Sequence, residues 1–466
     1  MRIRAIIAAA AGLLIVPAAA QAAGWTQVTL AGGNSDQVGL LRTGDGILHV
    51  AWQHSTSPLT EDVLHTTLAP SGKLLGTTTI QSGWAVVQNP ALVAAPEGIR
   101  AFWGGIRTTA TDEPNRELNT ALSADGGATW ALQAGSVVPG DAQAHGSPVA
   151  AAALPGGTSL QAWAGTLGTW VHSGLGPAAP NRDLQAPFGA YGYDTGIAAD
   201  AAGRAVVAWY SSAAARRGVL AQEVAADGSP VGSTLSLPGT ANMRFGQLGR
   251  TAIVARPGGG FYVASATGYP ALNTIRLWRV GAARAATIAR TPGTRGSTAT
   301  LAAAADGRLW VVWIADVGGN PHVLASRSNP SAATFGAVVD AGRPGRAFQA
   351  YRLDASVADG ALDILGSFSL GTTPNVATFH RRVLPGLTLK ASRLRLPRGD
   401  STSVTFTVLD AGVPVKGARV RAGGQSDTTN AAGRVTLRLT SGGRVLGARA
   451  SAAGYVPAVK LLRVVG

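Results

Sequence analysis

Seven recurring glycines organise this 466-residue sequence, and nine to twelve positions ahead of them stand residues able to hold a polar ligand: Asp36, Asn89, His145, Tyr193 with Asp194, Arg250, Arg295 and Tyr351, with Arg352 beside it. Arginine forks suit carboxylates and sulfates, tyrosine faces suit sugar rings, and carboxylates accept from hydroxyls, so the set fits an anionic glycan. It fits a solvated polar mouth equally well, and residue types leave both readings open. Tyr193 and Asp194 together also offer a nucleophile and an acid, but neighbours on a strand point to opposite faces, which weakens the pair. The seven histidines include no H-E-x-x-H and no metal-ligand spacing, so neither a metal nor a cofactor is expected. The acidic pairs Glu61/Asp62 and Asp112/Glu113 fall in loops, with Asp112 to Asn119 the best acidic candidate for calcium or acid/base chemistry. Thiol chemistry is excluded, because there is no cysteine.

The elements that position these residues repeat. GILHVAW (Gly46 to Trp52), GIRAFW (Gly98 to Trp103), GTSLQAW (Gly157 to Trp163), GRAVVAW (Gly203 to Trp209) and GRLWVVW (Gly307 to Trp313) share one pattern, and GGFYVAS (Gly259 to Ser265) and GALDILG (Gly360 to Gly366) are weaker copies. Their last residues are 51, 60, 46, 56, 48 and 53 apart. An apolar stretch precedes each glycine, a further strand follows each unit, and units of this length with four short strands are propeller blades. Alanine-rich first strands raise a helical alternative, but Gly or Pro interrupts each run before a stable helix length is reached. The expected fold is all-β: a seven-bladed β-propeller over residues 23–386, with six blades as the alternative, followed by a small β-sandwich over 387–466. The lone strand Trp25 to Ala31 is expected to complete the last blade and close the ring.

SADGGATW (Ser123 to Trp130) matches S-x-D-x-G-x-T-W at every defined position, with Ser123, Asp125, Gly127, Thr129 and Trp130 as its structural residues. The motif is an Asp-box, and on it the ring resembles the sialidase-like (Asp-box/BNR repeat) propeller superfamily. The resemblance implies a folding device in a turn remote from the active site. Sialidases of that superfamily carry an early R-x-P, whereas the earliest mature arginine here, Arg42, lies in L-R-T-G, so no catalytic residue carries over.

The net charge of +15 is uneven: residues 23–386 hold 24 basic and 21 acidic groups, residues 387–466 hold 13 and 3. With only Phe406 and Tyr455 as aromatics, the tail lacks the stacking platforms of a nucleic-acid binder, so no nucleic acid is expected. Gly417 to Leu439 resembles bacterial Ig-like and carboxypeptidase-regulatory-like modules, which implies a spacer or adhesion role, with Arg419, Arg421, Arg434 and Arg438 as a basic surface. Residues 1–22 read as a signal peptide, with basic Arg2 and Arg4, a short apolar run and a small-residue cleavage site. The expectation is a secreted, monomeric binding or adhesion protein with no transmembrane segment, holding a glycan or cell-envelope polymer at the channel mouth. The alternative is a sialidase-like glycoside hydrolase or lyase.

Overall fold

A computed structural model describes residues 24–30, 37–57, 60–106, 117–136, 148–165, 168–176, 180–189, 192–241, 249–268, 271–290, 298–345, 347, 349–371, 376–440 and 442–465. The signal segment, Asp36, His145, Arg295 and the Asp112/Glu113 pair lie outside them. Among the described residues the chain is all-β, with two single-turn 3-10 segments at Ala186–Phe188 and Ala214–Arg216. Among the described residues no helix is long and apolar enough to cross a membrane.

Seven antiparallel sheets occupy the larger part. They open with Gly39–Arg42, Ala91–Ala95, Ala150–Ala153, Gly192–Ala199, Ala252–Ala255, Ala299–Ala303 and Gln349–Ala358. Each opening strand packs beside the opening strand of the next sheet, and that of the last beside that of the first, giving the ring arrangement of a propeller. The runs of alanine are strands, because the ring crowds its innermost strands and only small side chains leave a channel between them; Ala94, Ala153, Ala198, Ala255 and Ala303 line it.

The second strands are buried on both faces, and in five of the seven a tryptophan fills the gap between two sheets. Trp52, Trp103, Trp163, Trp209 and Trp313 are each no more than 1% exposed. Trp163 packs with Val93 and Phe102 of the sheet before it, and Trp313 packs with Tyr262 and Ala264 of the sheet before it. The two weaker repeats are explained by local replacements. In the fifth sheet, where Ser265 stands, Trp278 from the third strand joins Val206 and Val263 in the inter-sheet core. In the seventh, a Cβ on Gly366 would come within 2.6 Å of the Phe368 ring, so phenylalanine occupies the space and glycine is required.

The ring closes non-covalently. Thr26–Gln27 pairs with Val376–Val383, Val28 N donates to Thr378 O at 2.8 Å, and Thr378 N donates to Thr29 Oγ1 at 2.8 Å. Trp25 packs edge-on to Phe368 and donates to Ala341 O. Beside this strand the Asp363 carboxylate, 1% exposed, receives Arg42, Arg382 and His380, which tie the first sheet to the last.

The Ser123–Trp130 turn shows why its residue types are needed. Thr129 N and Thr129 Oγ1 donate to Asp125, Ser123 Oγ donates to Asp125 and accepts from Gly127 N, and these bonds hold the carboxyl down at about 2. Gly127, at φ 93°, lies so close to His65 of the first sheet that a Cβ would meet the ring at 2.1 Å. His65 shares a hydrogen bond of 3.0 Å with His49. The turn therefore seals the seam between the first two sheets over a buried histidine pair.

The tail has its own core, in which Val404, Phe406, Val420, Ala448 and Leu462 are fully buried. One sheet joins Thr388–Ala391, Thr402–Asp410, Val413–Pro414 and Arg434–Leu439; the other joins Arg395–Pro397, Ala458–Val465, Val445–Ser451, Arg419–Ala422 and Gln425–Thr428. This pairing corrects one expectation: Arg419 and Arg421 stand on one sheet, Arg434 and Arg438 on the other, so the four do not form a single basic surface. Asp410, 2% exposed, fastens the tail to the sixth sheet by ion pairs with Arg327 and Arg308.

Deleting residues 23–32 should lower the melting temperature by at least about 5 °C, since the lost packing and pairing amount to a few kcal/mol; calorimetry showing an unchanged melt would refute the closure. Burial first, then the charge of His49, pulls His65 from 6.5 to about 4. The neutral form is thus favoured in the fold: its stabilisation is complete above pH 6.5 and falls away as pH drops toward 4, by on the order of 3 kcal/mol. Denaturant titrations across that window should show the loss, and His65→Gln should flatten it.

Candidate functional site

The seven opening strands enclose a channel, and its entry end is where the chemistry-bearing residues were expected. Arg250 immediately precedes the fifth opening strand, after Gly249 at φ 65°. A Cβ on Gly249 would meet Gln37 Oε1 at 2.6 Å and Arg352 Cδ at 2.8 Å, so glycine lets the backbone approach the axis. The Arg250 guanidinium then crosses to other sheets. Its Nε donates to Val149 O at 2.9 Å, Nη1 to Val38 O at 2.8 Å, and Nη2 to Asn89 O at 3.2 Å and to Pro90 O. These carbonyls sit just ahead of the third, first and second opening strands.

A carboxylate balances the charge. Asp354, on the seventh opening strand, accepts Gln37 Nε2 at 3.1 Å and Val38 N at 3.3 Å, while Gln37 Oε1 accepts Arg250 N at 2.7 Å. Burial pushes the Asp354 carboxyl up, and Arg250 is the foremost influence opposing it. Both side chains lie deep in the ring yet stay in touch with the channel, where Gln37, Arg250, Thr251, Thr300 and Asp354 line a cavity of about 230 Å³. Farther along, the alanine-lined reach encloses about 460 Å³.

Arg250 therefore does not extend toward a ligand as a clamp; four of its donor contacts go to backbone carbonyls inside the ring. Asn89 contributes its carbonyl to this brace, and its Oδ1 is buried with no hydrogen-bond partner among the described residues, as are Thr195 Oγ1 and Thr251 Oγ1. Tyr351 accepts Thr298 Oγ1 at its carbonyl, and Arg352 lies beside Gly249 and Gln37. Tyr193 opposes Tyr210 across the strand pair, and the register slips between Tyr193 and Gly196. Asp194 sits in that slip at φ 55°, 7% exposed, with its carbonyl accepting Thr251 N. The strict alternation assumed for Tyr193 and Asp194 is thus broken by a bulge.

Structure brings Asn89, Arg250 and Arg352 to one end of the channel; Asp36, His145 and Arg295 lie outside the described residues. Asp354 was missed by sequence reasoning. Its signal was the single acid, between Leu353 and Ala355, in the strand segment YRLDASV.

No family model matches this sequence, and no curated protein matches it. Among solved structures, the chain is similar to a fungal alcohol oxidase of the AA5 family in complex with copper (13% identity, 95% of this chain and 99% of that chain, TM-score 0.47). It is also similar to an α-L-arabinanase of Penicillium chrysogenum complexed with arabinobiose (14%, 66% and 98%, 0.43) and to a polysaccharide lyase (10%, 75% and 89%, 0.44). With TM-scores below 0.5, these likenesses bear on neither substrate nor mechanism.

Arg250→Ala should cost about 3 kcal/mol in denaturant unfolding, because a charged donor is removed from several carbonyls at once. Arg352→Ala should cost about 1 kcal/mol, because a half-buried cation near Asp354 is removed without stripping several carbonyls of their donor. Equal losses in the two variants would contradict the division of roles.

Proposed function

We propose that the chain is an exported binding protein: a seven-bladed propeller over residues 23–386, with a glycan held at its channel mouth, and an Ig-like β-sandwich over 387–466. The blade count is supported by seven sheets whose opening strands succeed one another around the channel. The Ser123–Trp130 turn, bonded through Asp125 as an Asp-box requires, supports kinship with sialidase-like propellers. Two sheets sharing one core support the sandwich.

One observation carries the binding reading: Gln37, Arg250, Thr251, Thr300 and Asp354 line a cavity of about 230 Å³ in the channel, so a ligand there meets a polar floor. Thr251 and Thr300 add hydroxyls to that lining, groups able to exchange hydrogen bonds with a sugar. Arg352, Tyr351, Tyr193 and Asp194 are the proposed rim. Hydrolysis is the weaker reading, because glycosidases need two carboxyl groups across the scissile bond. Of the two described here, Asp354 is engaged by Gln37, Val38 N and the charge of Arg250.

A glycan array paired with a panel of fluorogenic glycosides tests this. Binding without turnover, weakened about tenfold in Arg352→Ala with a cooperative melt retained, is the expected result, being the loss of one charge-assisted contact. Turnover that disappears in Tyr193→Phe would replace binding with catalysis, and silence in both assays would leave the ring a structural body.

A further inference from the structure

The two outer faces of the tail are chemically different. On the sheet containing Thr402–Asp410 and Arg434–Leu439, the outward residues are Ser403, Thr405, Thr407, Arg434, Thr436 and Arg438, with Leu409 the one half-buried aliphatic among them on these two strands. On the other sheet, register puts aliphatic and cationic side chains together. Arg421 opposes Arg449, Arg449 opposes Val459, Gly447 opposes Leu461, and Val445 opposes Arg463, which in turn pairs with Arg395. Directly opposed residues share a face, so this is one surface. Leu461 is 62% exposed, Val445 54%, Val459 51% and Val465 45%.

These aliphatics contribute nothing to the tail core, which Leu446, Ala448, Ala450 and Leu462 fill from the inner side of the same strands. A solvent-facing side of an antiparallel sheet is ordinarily polar, so exposed Leu and Val there mark a contact surface. Its charge is of one sign. Asp427, the one acid on these strands, opposes Val420 and so belongs to the other side. Among the described residues none of Arg395, Arg419, Arg421, Arg449 and Arg463 is in a salt bridge.

We propose that this face docks on the surface of an anionic lipid bilayer, the arginines meeting headgroup phosphates and Leu461, Val459, Val445 and Val465 entering the boundary with the acyl chains. A bilayer offers both chemistries in one plane, which is what the face presents. A second copy of the same face is disfavoured by arginine facing arginine, and a soluble polyanion would leave the aliphatics without a partner. Because Asp410 ties the tail to Arg327 and Arg308 of the sixth sheet, a docked tail would hold the ring in a fixed attitude to the membrane. The inference stands apart from whatever the channel mouth binds.

Co-sedimentation of the full mature chain with phosphatidylcholine vesicles, with and without a quarter of phosphatidylglycerol, is the test. Binding is expected only to the anionic vesicles, and it should weaken about tenfold both in Arg419→Ser/Arg449→Ser and in Val459→Thr/Leu461→Ser. Arg434→Ser/Arg438→Ser, on the opposite sheet, should bind as the parent does, and the melting temperature checks that each variant is folded. Full binding retained by Val459→Thr/Leu461→Ser would overturn the bilayer in favour of a soluble polyanion, with dextran sulfate as the competing probe. Absence of vesicle binding by the parent chain, or a dimer in sedimentation that Leu461→Ser dissolves, would overturn it outright.

Discussion

A ring of sheets has to solve its axis. The opening strands converge there, and the backbone groups just ahead of them lose neighbours because each strand begins a new sheet. The guanidinium of Arg250 answers this need by reaching from the fifth sheet to carbonyls that lead into the first, second and third. Asp354 brings in the seventh through Gln37 and Val38. A planar cation with five donors can serve several acceptors in different directions, which a lysine could not do in this geometry. Channel contact matters too, because a charge wholly removed from water would cost more than its bonds return.

The seam between the last and first sheets follows the same economy. An N-terminal strand completes the seventh sheet, and behind it one carboxylate, Asp363, collects Arg42, Arg382 and His380. A third buried carboxylate, Asp410, fastens the tail. Each of these joints is therefore held by a single acid that engages two or more basic donors or amides. Elsewhere the sheets meet chiefly through tryptophan and small aliphatics, with charged groups such as Arg182 and Asp227 kept to the solvent side of the seam.

Much of this architecture was legible because it repeats. Trp52, Trp103, Trp163, Trp209 and Trp313 announce the inter-sheet gaps, and the strands leading to them could be placed by counting. The weaker repeats were harder, since Trp278 and Phe368 fill the same gaps from other positions in their sheets. The mouth was located by its offset from the repeat glycines, but the role of Arg250 was not legible: its partners are main-chain carbonyls, which carry no residue identity. The faces of the tail were hidden for a related reason. Its strands pair out of sequence order, so the charge count was visible while the separation of Arg419 and Arg421 from Arg434 and Arg438 was not. Asp354 and Asp363, lone acids in apolar strands, were the one overlooked signal.

If Arg250 braces the ring, its loss must be felt where it reaches rather than where it sits. Hydrogen exchange of the backbone amides in Arg250→Ala against the parent chain measures this directly. Protection should fall together in Gly39–Arg42, Ala91–Ala95 and Ala150–Ala153, none of which neighbours residue 250 in sequence. A loss of protection confined to Ala252–Ala255 would show that the guanidinium serves its own sheet alone, and the ring would need another brace.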